Sequence, residues 1–508
     1  METGQPVIPS NPKSPLVHDP RYYSSAVIER LFPAVLVGFL LASCSGKSGG
    51  IFMTAEPPPA TYLKPGMAPE LAPRETPDTL TVGEAVHEAL VQNRFVVRAR
   101  VSAAIQSTNR REALSRMIPS VNIRGSYRKT DEASRINAPG FPAPIVTGVA
   151  EEWRGEIAAE FPIFAFGRYL NAYRSAKLAE GAAVAQQQVT ESDIAASVTA
   201  AAFDMLETIQ QIEVARSNEL ALERQVKDST ALLEAGRVTK ASLLESLVLY
   251  DTAVRDREKL ESLVPIRRMV LNTLLARPIH TPTKIVDQRI TEEPTWTLSR
   301  LENEALSARP ELRAADLDIA SLRKRYKSAV GAELPEFRGS LSYSRTDNPF
   351  TAPADPVTFM LTFDIPVFQG GGGLARIQRA RYDVDLARIR RRDLEDQVRR
   401  EVAQTFRNVT ENYRDIAVAA RSVVRQEEAY RIRREEQANG RATTREVLDT
   451  LTTLNRARFA HVNSIYAYNV ALRELHRARG ADPRAVPTTG PTTGPTTGPT
   501  TGPTPGPR

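Results

Sequence analysis

Two periodicities alternate along this chain, and their order is repeated. From Thr81, with Glu84 three places on, apolar positions recur at helical spacing without a proline as far as Ile118-Pro119. A Thr-x-x-Glu ahead of such a run is a capping box, so the pattern predicts a helix opening at Thr81. The period then changes to two. Val121, Ile123, Gly125 and Tyr127 alternate with Asn122, Arg124, Ser126 and Arg128. After a proline-rich loop from Ala138 to Pro144, Trp153, Ile157, Ala159 and Phe161 alternate with Arg154, Glu156, Ala158 and Glu160. Strands are expected over 119–130 and 151–165.

From Gly167 to Ala235 there is no proline for 69 residues; Gly236-Arg237 breaks the run, and a helix from Lys240 to Ala276 is stopped by Pro278. After residue 296 the plan recurs. A helix from Arg300 ends before Pro335, and strands are expected over 335–346 and 356–368, the second alternating Val357, Phe359, Leu361 and Phe363 with Thr358, Met360 and Thr362. A second proline-free helix spans Gly371 to Ala438, Gly440 breaks it, and a last helix reaches Ala478. Phe161-Pro162-Ile163-Phe164 with Gly167 matches Ile365-Pro366-Val367-Phe368 with Gly371; Gly236-Arg237 matches Gly440-Arg441; both matches share an offset of 204 residues. The chain is therefore two structural repeats, 79–296 and 297–480.

Geometry limits what such repeats can build. A 69-residue helix is about 103 Å long. Two shorter helices of about 37 residues, stacked end to end, reach about 111 Å, so each repeat reads as one long helix beside two short ones. The stripe Ile194, Val198, Ala201, Met205, Ile209 and Ile212 needs lateral helical partners. All four strands have the length of a tilted barrel strand with one apolar face. Four cannot close a barrel, and an open edge in lipid leaves backbone groups unpaired at several kcal/mol each, so the chain is expected to oligomerise. Four crossings return the chain to its starting side.

Composition adds the ends and removes several chemistries. There are 67 Lys and Arg against 60 Asp and Glu, a net charge of +7 with no basic block, which argues against a nucleic-acid partner. Five scattered histidines and one cysteine offer no metal or thiol-catalysis motif; no enzyme, cofactor or metal site is expected. Gly370 to Gly373 lacks the Lys-Ser/Thr of a phosphate loop. The apolar run Leu31 to Leu41 is half the length of a spanning helix and suits a signal peptide over 1–43, preceded by an over-long extension. It ends in Leu41-Ala42-Ser43-Cys44, which resembles the lipobox of bacterial lipoproteins and marks Cys44 for acylation. Residues 44–78 read as a tether, and 481–508, ending in Pro-Thr-Thr-Gly repeats, as a disordered tail.

With Leu80-Thr81-Val82-Gly83-Glu84-Ala85, Ala89-Leu90 with Asn93, Ala305-Leu306 with Arg309-Pro310-Glu311-Leu312, and the duplicated Pro-x-Phe turns and Gly breaks, residues 79–480 resemble the TolC-like outer-membrane efflux proteins, in their lipoprotein branch. The resemblance implies a mainly α fold with membrane β: a homotrimer whose four strands per chain make a 12-stranded transmembrane β-barrel, continued by a periplasmic α-barrel. It implies an efflux or secretion channel in the outer membrane, partnered by a periplasmic adaptor, an inner-membrane pump and outer-membrane lipid. Glu446 and Asp449 match the acidic pair that rings the family's periplasmic entrance, with Glu in place of the first Asp. The tip turns Gly236, Arg237, Gly440 and Arg441 become adaptor contacts, and Pro162, Gly167, Pro366 and Gly371 the strand-to-helix turns. The competing reading is a pore-less periplasmic coiled-coil adaptor or scaffold.

Overall fold

The computed structural model describes residues 78–484 apart from 138, 141, 291, 292 and 352–354; Cys44, the tether and the Pro-Thr-Thr-Gly repeats lie outside the described residues. The first repeat contains β1 (Thr79–Leu80), α1 (Val82–Gln92), α2 (Arg94–Ser115), β2 (Ser120–Lys129), β3 (Arg135–Ile136), β4 (Ile145–Val146), β5 (Glu151–Phe164), α3 (Arg168–Glu234), α4 (Lys240–Leu275) and β6 (Lys284–Ile285). The second contains α5 (Leu298–Ala308), α6 (Pro310–Gly331), β7 (Glu336–Thr346), β8 (Val357–Asp364), α7 (Gly372–Ala438) and α8 (Thr444–Ala478). The repeats agree in length element by element: α1 and α5 have 11 residues, α2 and α6 have 22, α3 and α7 have 67.

Thr81 caps α1 through the reciprocal bonds of a capping box with Glu84. The single helix expected from Thr81 to Ile118 is, however, two. Asn93 ends α1 and caps α2, its side-chain oxygen accepting from the Phe95 N–H, while its amide donates to the Leu274 carbonyl at 2.7 Å. The side chain thus satisfies a free N–H at the start of α2 and ties the break to a carbonyl of α4, which favours ending α1 here. The helix expected from Arg300 to Pro335 divides likewise at Arg309, because Pro310 has no N–H to donate backwards and takes the first position of α6. Pro265, by contrast, lies inside α4 without ending it.

The four long strands form one antiparallel sheet in the order β2-β5-β7-β8. The central pairing, β5 with β7, joins the repeats, as in Ile157 opposite Tyr343. Pro162 sits where the β5 register shifts, a place where its missing N–H breaks no ladder bond. The fourth strand is shorter than expected: it stops at Asp364, before Ile365-Pro366-Val367-Phe368. The two hairpin loops also differ, since the first carries the added ladder of β3 on β4. On one face Ile123, Ile157, Tyr343 and Val357 stand in a row, the outer two widely open to solvent, with Ile123 80% exposed and Val357 67%. The opposite face pairs Arg124 with Glu156 at 3.8 Å and Arg338 with Asp364 at 3.7 Å.

The apolar core lies instead midway along the long helices. The α3 stripe, from Ile194 through Val198 to Met205, packs against Ala85, Val86 and Ala89 of α1, Leu271 and Leu275 of α4, and Tyr466 of α8. A second cluster joins Leu301 and Leu312 to Val398, Val402 and Leu475. β1 pairs in parallel with β6, drawing the start of the first repeat and its end together at this level. Among the described residues no helix is long and apolar enough to cross a membrane.

Candidate functional site

The far ends of the long helices hold most of the residues singled out by sequence. α3 leaves the sheet at Arg168 and runs about 100 Å before its 67 residues end. There Gly236 takes φ of +67°, its N–H donates to Leu233 O, and the Arg237 N–H donates to Leu232 O. Gly440, at φ of +71°, repeats this with Gln437 O and, through Arg441, with Glu436 O. Both breaks are thus Schellman caps, in which only glycine takes the left-handed position without a steric penalty. A Cβ on Gly440 would stand 3.1 Å from the Arg237 guanidinium, so the two tips are neighbours.

Just behind the tips a buried polar network ties the helical pairs together. Gln225 donates to Gln437 at 3.3 Å, Gln437 to the Thr444 hydroxyl at 3.2 Å, and Ser229 shares a hydrogen bond with Ser246 at 3.2 Å. Each of these side chains is buried, so each bond removes a desolvation cost of about 1–3 kcal/mol that an unpartnered group would carry.

Glu446 and Asp449 are both exposed one turn apart on the first turns of α8. Glu446 has a second duty that sequence reasoning overlooked. Its carboxylate accepts from the Thr443 N–H at 2.7 Å and the Thr443 hydroxyl at 3.0 Å, closing a capping box. The backbone bond, then the hydroxyl, holds its pKa below the usual glutamate value. The charge it brings to the tip is therefore retained to lower pH than that of an unbonded glutamate.

At the strand-to-helix turns Gly167 and Gly371 match: both precede the first residue of a 67-residue helix, at φ of +77° and +81°. Further on, Gly373 lets the Glu333 side chain lie close against the backbone. A Cβ there would lie 2.0 Å from the Glu333 carboxylate, which sits against the start of α7 and accepts from Arg376 at 2.7 Å.

Two features of the mid-level were missed because their partners are far apart in sequence. Arg277, its side chain 2% exposed, makes two 2.6 Å bonds to Glu88, a residue 189 positions away, and a third to Thr283. His476 meets Trp296 edge-on at 5.7 Å, with the buried Arg473 three residues before it on α8. Burial first, then the charges of Arg479 and Arg473, push its pKa down to about 4. The folded state therefore favours neutral His476, and its contribution is lost as pH falls from about 6.5 towards 4, by at most about 3 kcal/mol. His476→Phe should lose less stability than the parent between pH 7 and pH 4.5 in thermal unfolding; equal losses would deny His476 this part.

The profile of a family described as "Outer membrane efflux protein" matches residues 85–276 and 301–481. No curated protein matches the sequence. Among solved structures, the outer-membrane channel OprN has a TM-score of 0.71 at 17% identity, over 79% of this chain and 90% of that one. The outer membrane protein VceC from Vibrio cholerae has a TM-score of 0.70 at 15% identity, over 79% and 96%. The CmeC outer membrane channel of Campylobacter jejuni has 0.70 at 14%, over 78% and 85%. At such identities these structures establish a shared fold.

Proposed function

The chain belongs to the outer membrane efflux protein family, and on that premise we propose that three copies close one passage through the outer membrane. The observation that carries this reading is the sheet itself. Its apolar face carries exposed side chains, and among the described residues its two outer strands, β2 and β8, have no outer neighbour. In lipid those edges must be paired, and like copies arranged in a ring pair β8 of one with β2 of the next. Twelve strands then make the barrel, and the 67-residue helices continue it as a periplasmic tunnel. The reading is supported equally by the polar ladder on the opposite sheet face, which suits a water-filled lumen. Substrates pass without chemistry, handed over by a periplasmic adaptor that meets the tips at Gly236, Arg237, Gly440 and Arg441 and is driven by an inner-membrane pump.

In this assembly three copies of Glu446 and Asp449 surround the narrow periplasmic mouth. Field lines concentrate in so narrow a site, so cations are favoured and multivalent cations block from the tip side. Replacing both with Ala should reduce cation selectivity and relieve the block in planar bilayers, and Glu446→Gln, which keeps an acceptor for the cap, should reproduce part of the change. Unchanged selectivity in both variants would return Glu446 to a capping role alone. The mass of the detergent-solubilised protein tests the trimer directly: a stable conducting monomer would contradict it.

Cys44 follows an apolar run and precedes a tether, the arrangement that supports acylation of its new N-terminus. Cys44→Ser should therefore abolish incorporation of a fatty-acid analogue; persistent labelling would refute the lipid anchor.

A further inference from the structure

Charge is unevenly spread relative to the sheet. Residues 105–119 and 321–335, which lead into β2 and β7, together with residues 168–178 and 372–382, which open α3 and α7, contain thirteen Lys and Arg and two Glu. That surplus of eleven exceeds the +7 of the whole chain, so the remainder of the chain is net acidic. Some of these cations are engaged: Arg110 with Glu180, Arg168 with Glu336, Arg376 with Glu333. Arg323, Lys324, Arg325, Lys327, Arg379 and Arg381 make no ion pair among the described residues, and all but the half-buried Lys324 are exposed.

We propose that these turns form a cationic collar that binds the headgroups of anionic phospholipids in the leaflet on the helical side of the membrane. The inference rests on the reading of the sheet as membrane-spanning. Three observations support it. First, eleven helical residues extend about 16 Å, while a headgroup layer is roughly 6 Å thick and charges act over about 8 Å at physiological salt. The collar thus lies within reach of the lipid phosphates. Second, the exposed aromatics Phe164, Phe166 and Phe368, the last 87% exposed, stand between the apolar sheet face and the cationic turns. Apolar, aromatic, then cationic is the sequence of chemistries across one half of a bilayer interface. Third, Arg323, Lys324 and Arg325 are consecutive on a helix and point about 100° apart, so with Lys327 they spread cations over about 200° of the circumference of α6, and Arg323, Arg325 and Lys327 are exposed. Long aliphatic stems let such side chains reach sideways to phosphate.

The test uses the full-length protein in detergent, with phosphatidylglycerol or phosphatidylcholine added and retained lipid read by native mass spectrometry. The parent should retain phosphatidylglycerol preferentially, and less of it at 0.5 M than at 0.05 M salt. Replacing Arg323, Lys324, Arg325, Lys327, Arg379 and Arg381 by Gln should lower that preference at least about tenfold. The charge-keeping set Arg323→Lys, Arg325→Lys, Arg379→Lys and Arg381→Lys should retain it, which separates lost charge from lost fold. A parent without preference overturns the collar, as does a Gln variant that keeps the full preference. A Gln variant whose lipid preference is intact but whose ion selectivity changes places these cations in the lumen and also overturns it. Conductance of the parent in the same preparation reports on the channel reading separately: a conducting protein without lipid preference loses only the collar.

Discussion

An arginine at Leu361 should abolish the assembled protein, while the same arginine at the adjacent Met360 should leave it intact. The two positions are neighbours in the middle of β8, and both are more than half exposed in the single chain. They point to opposite faces. Leu361 stands in the apolar row with Phe359 and Phe363, opposite Gly339, whereas Met360 lies over Ser340 on the face that carries Arg338 and Asp364. A charge near the middle of a lipid-facing strand costs about 2–4 kcal/mol, and three copies in a trimer cost about 6–12 kcal/mol, comparable to the whole stability of an ordinary domain. On the lumen face the guanidinium keeps its water, so the cost there is small. Trimer surviving unheated gel electrophoresis of outer-membrane extracts gives the measurement. Equal trimer yields from the two variants would mean that the apolar face does not meet lipid, and the membrane reading of the sheet would fall with it.

How much of this was legible in the sequence depends on the range of the interaction. The strands announced themselves through a two-residue period, and the 67-residue helices through the absence of proline between two glycine breaks, both local signals. The duplicated Gly236 and Gly440 caps were readable for the same reason. Where the chain breaks at Asn93, the deciding contact is the Leu274 carbonyl, 181 residues away, and helical periodicity continues through the break undisturbed. Arg309 was more readable than the reading allowed, since Pro310 follows it. Thr443 and Glu446 show a different failure. Their spacing is that of Thr81 and Glu84, which located the first helix, yet at the tip the acid was read only as a charge for the entrance. One carboxylate can serve both purposes, because capping consumes lone pairs and leaves the charge. The Arg277–Glu88 pair left no trace in sequence at all.

That pair should be among the most costly to break. Arg277 gives Glu88 two short parallel bonds and reaches Thr283, whose hydroxyl in turn donates to Asn272 at 2.7 Å; Asn272 donates to the carbonyls of Ile279 and Thr281. The chain turns after α4 around this network, and α1 is fastened to that turn. Arg277→Ala removes the cation paired with the mostly buried Glu88 and strands a carboxylate, so a loss of about 3–5 kcal/mol is expected. Replacing both partners by apolar side chains, Glu88→Leu with Arg277→Met, should recover most of that loss, because no unpaired charge remains. The second repeat supplies the control. Its counterpart, Arg479 with Glu304, is 3.8 Å apart with side chains 24% and 35% exposed, and its removal should cost no more than about 1 kcal/mol. Denaturant midpoints of the four proteins decide the matter: if Arg277→Ala unfolds at the same concentration as Arg479→Ala, the pair at Glu88 is an ornament of the turn and α1 is held by its apolar packing and the Asn93 bond without it.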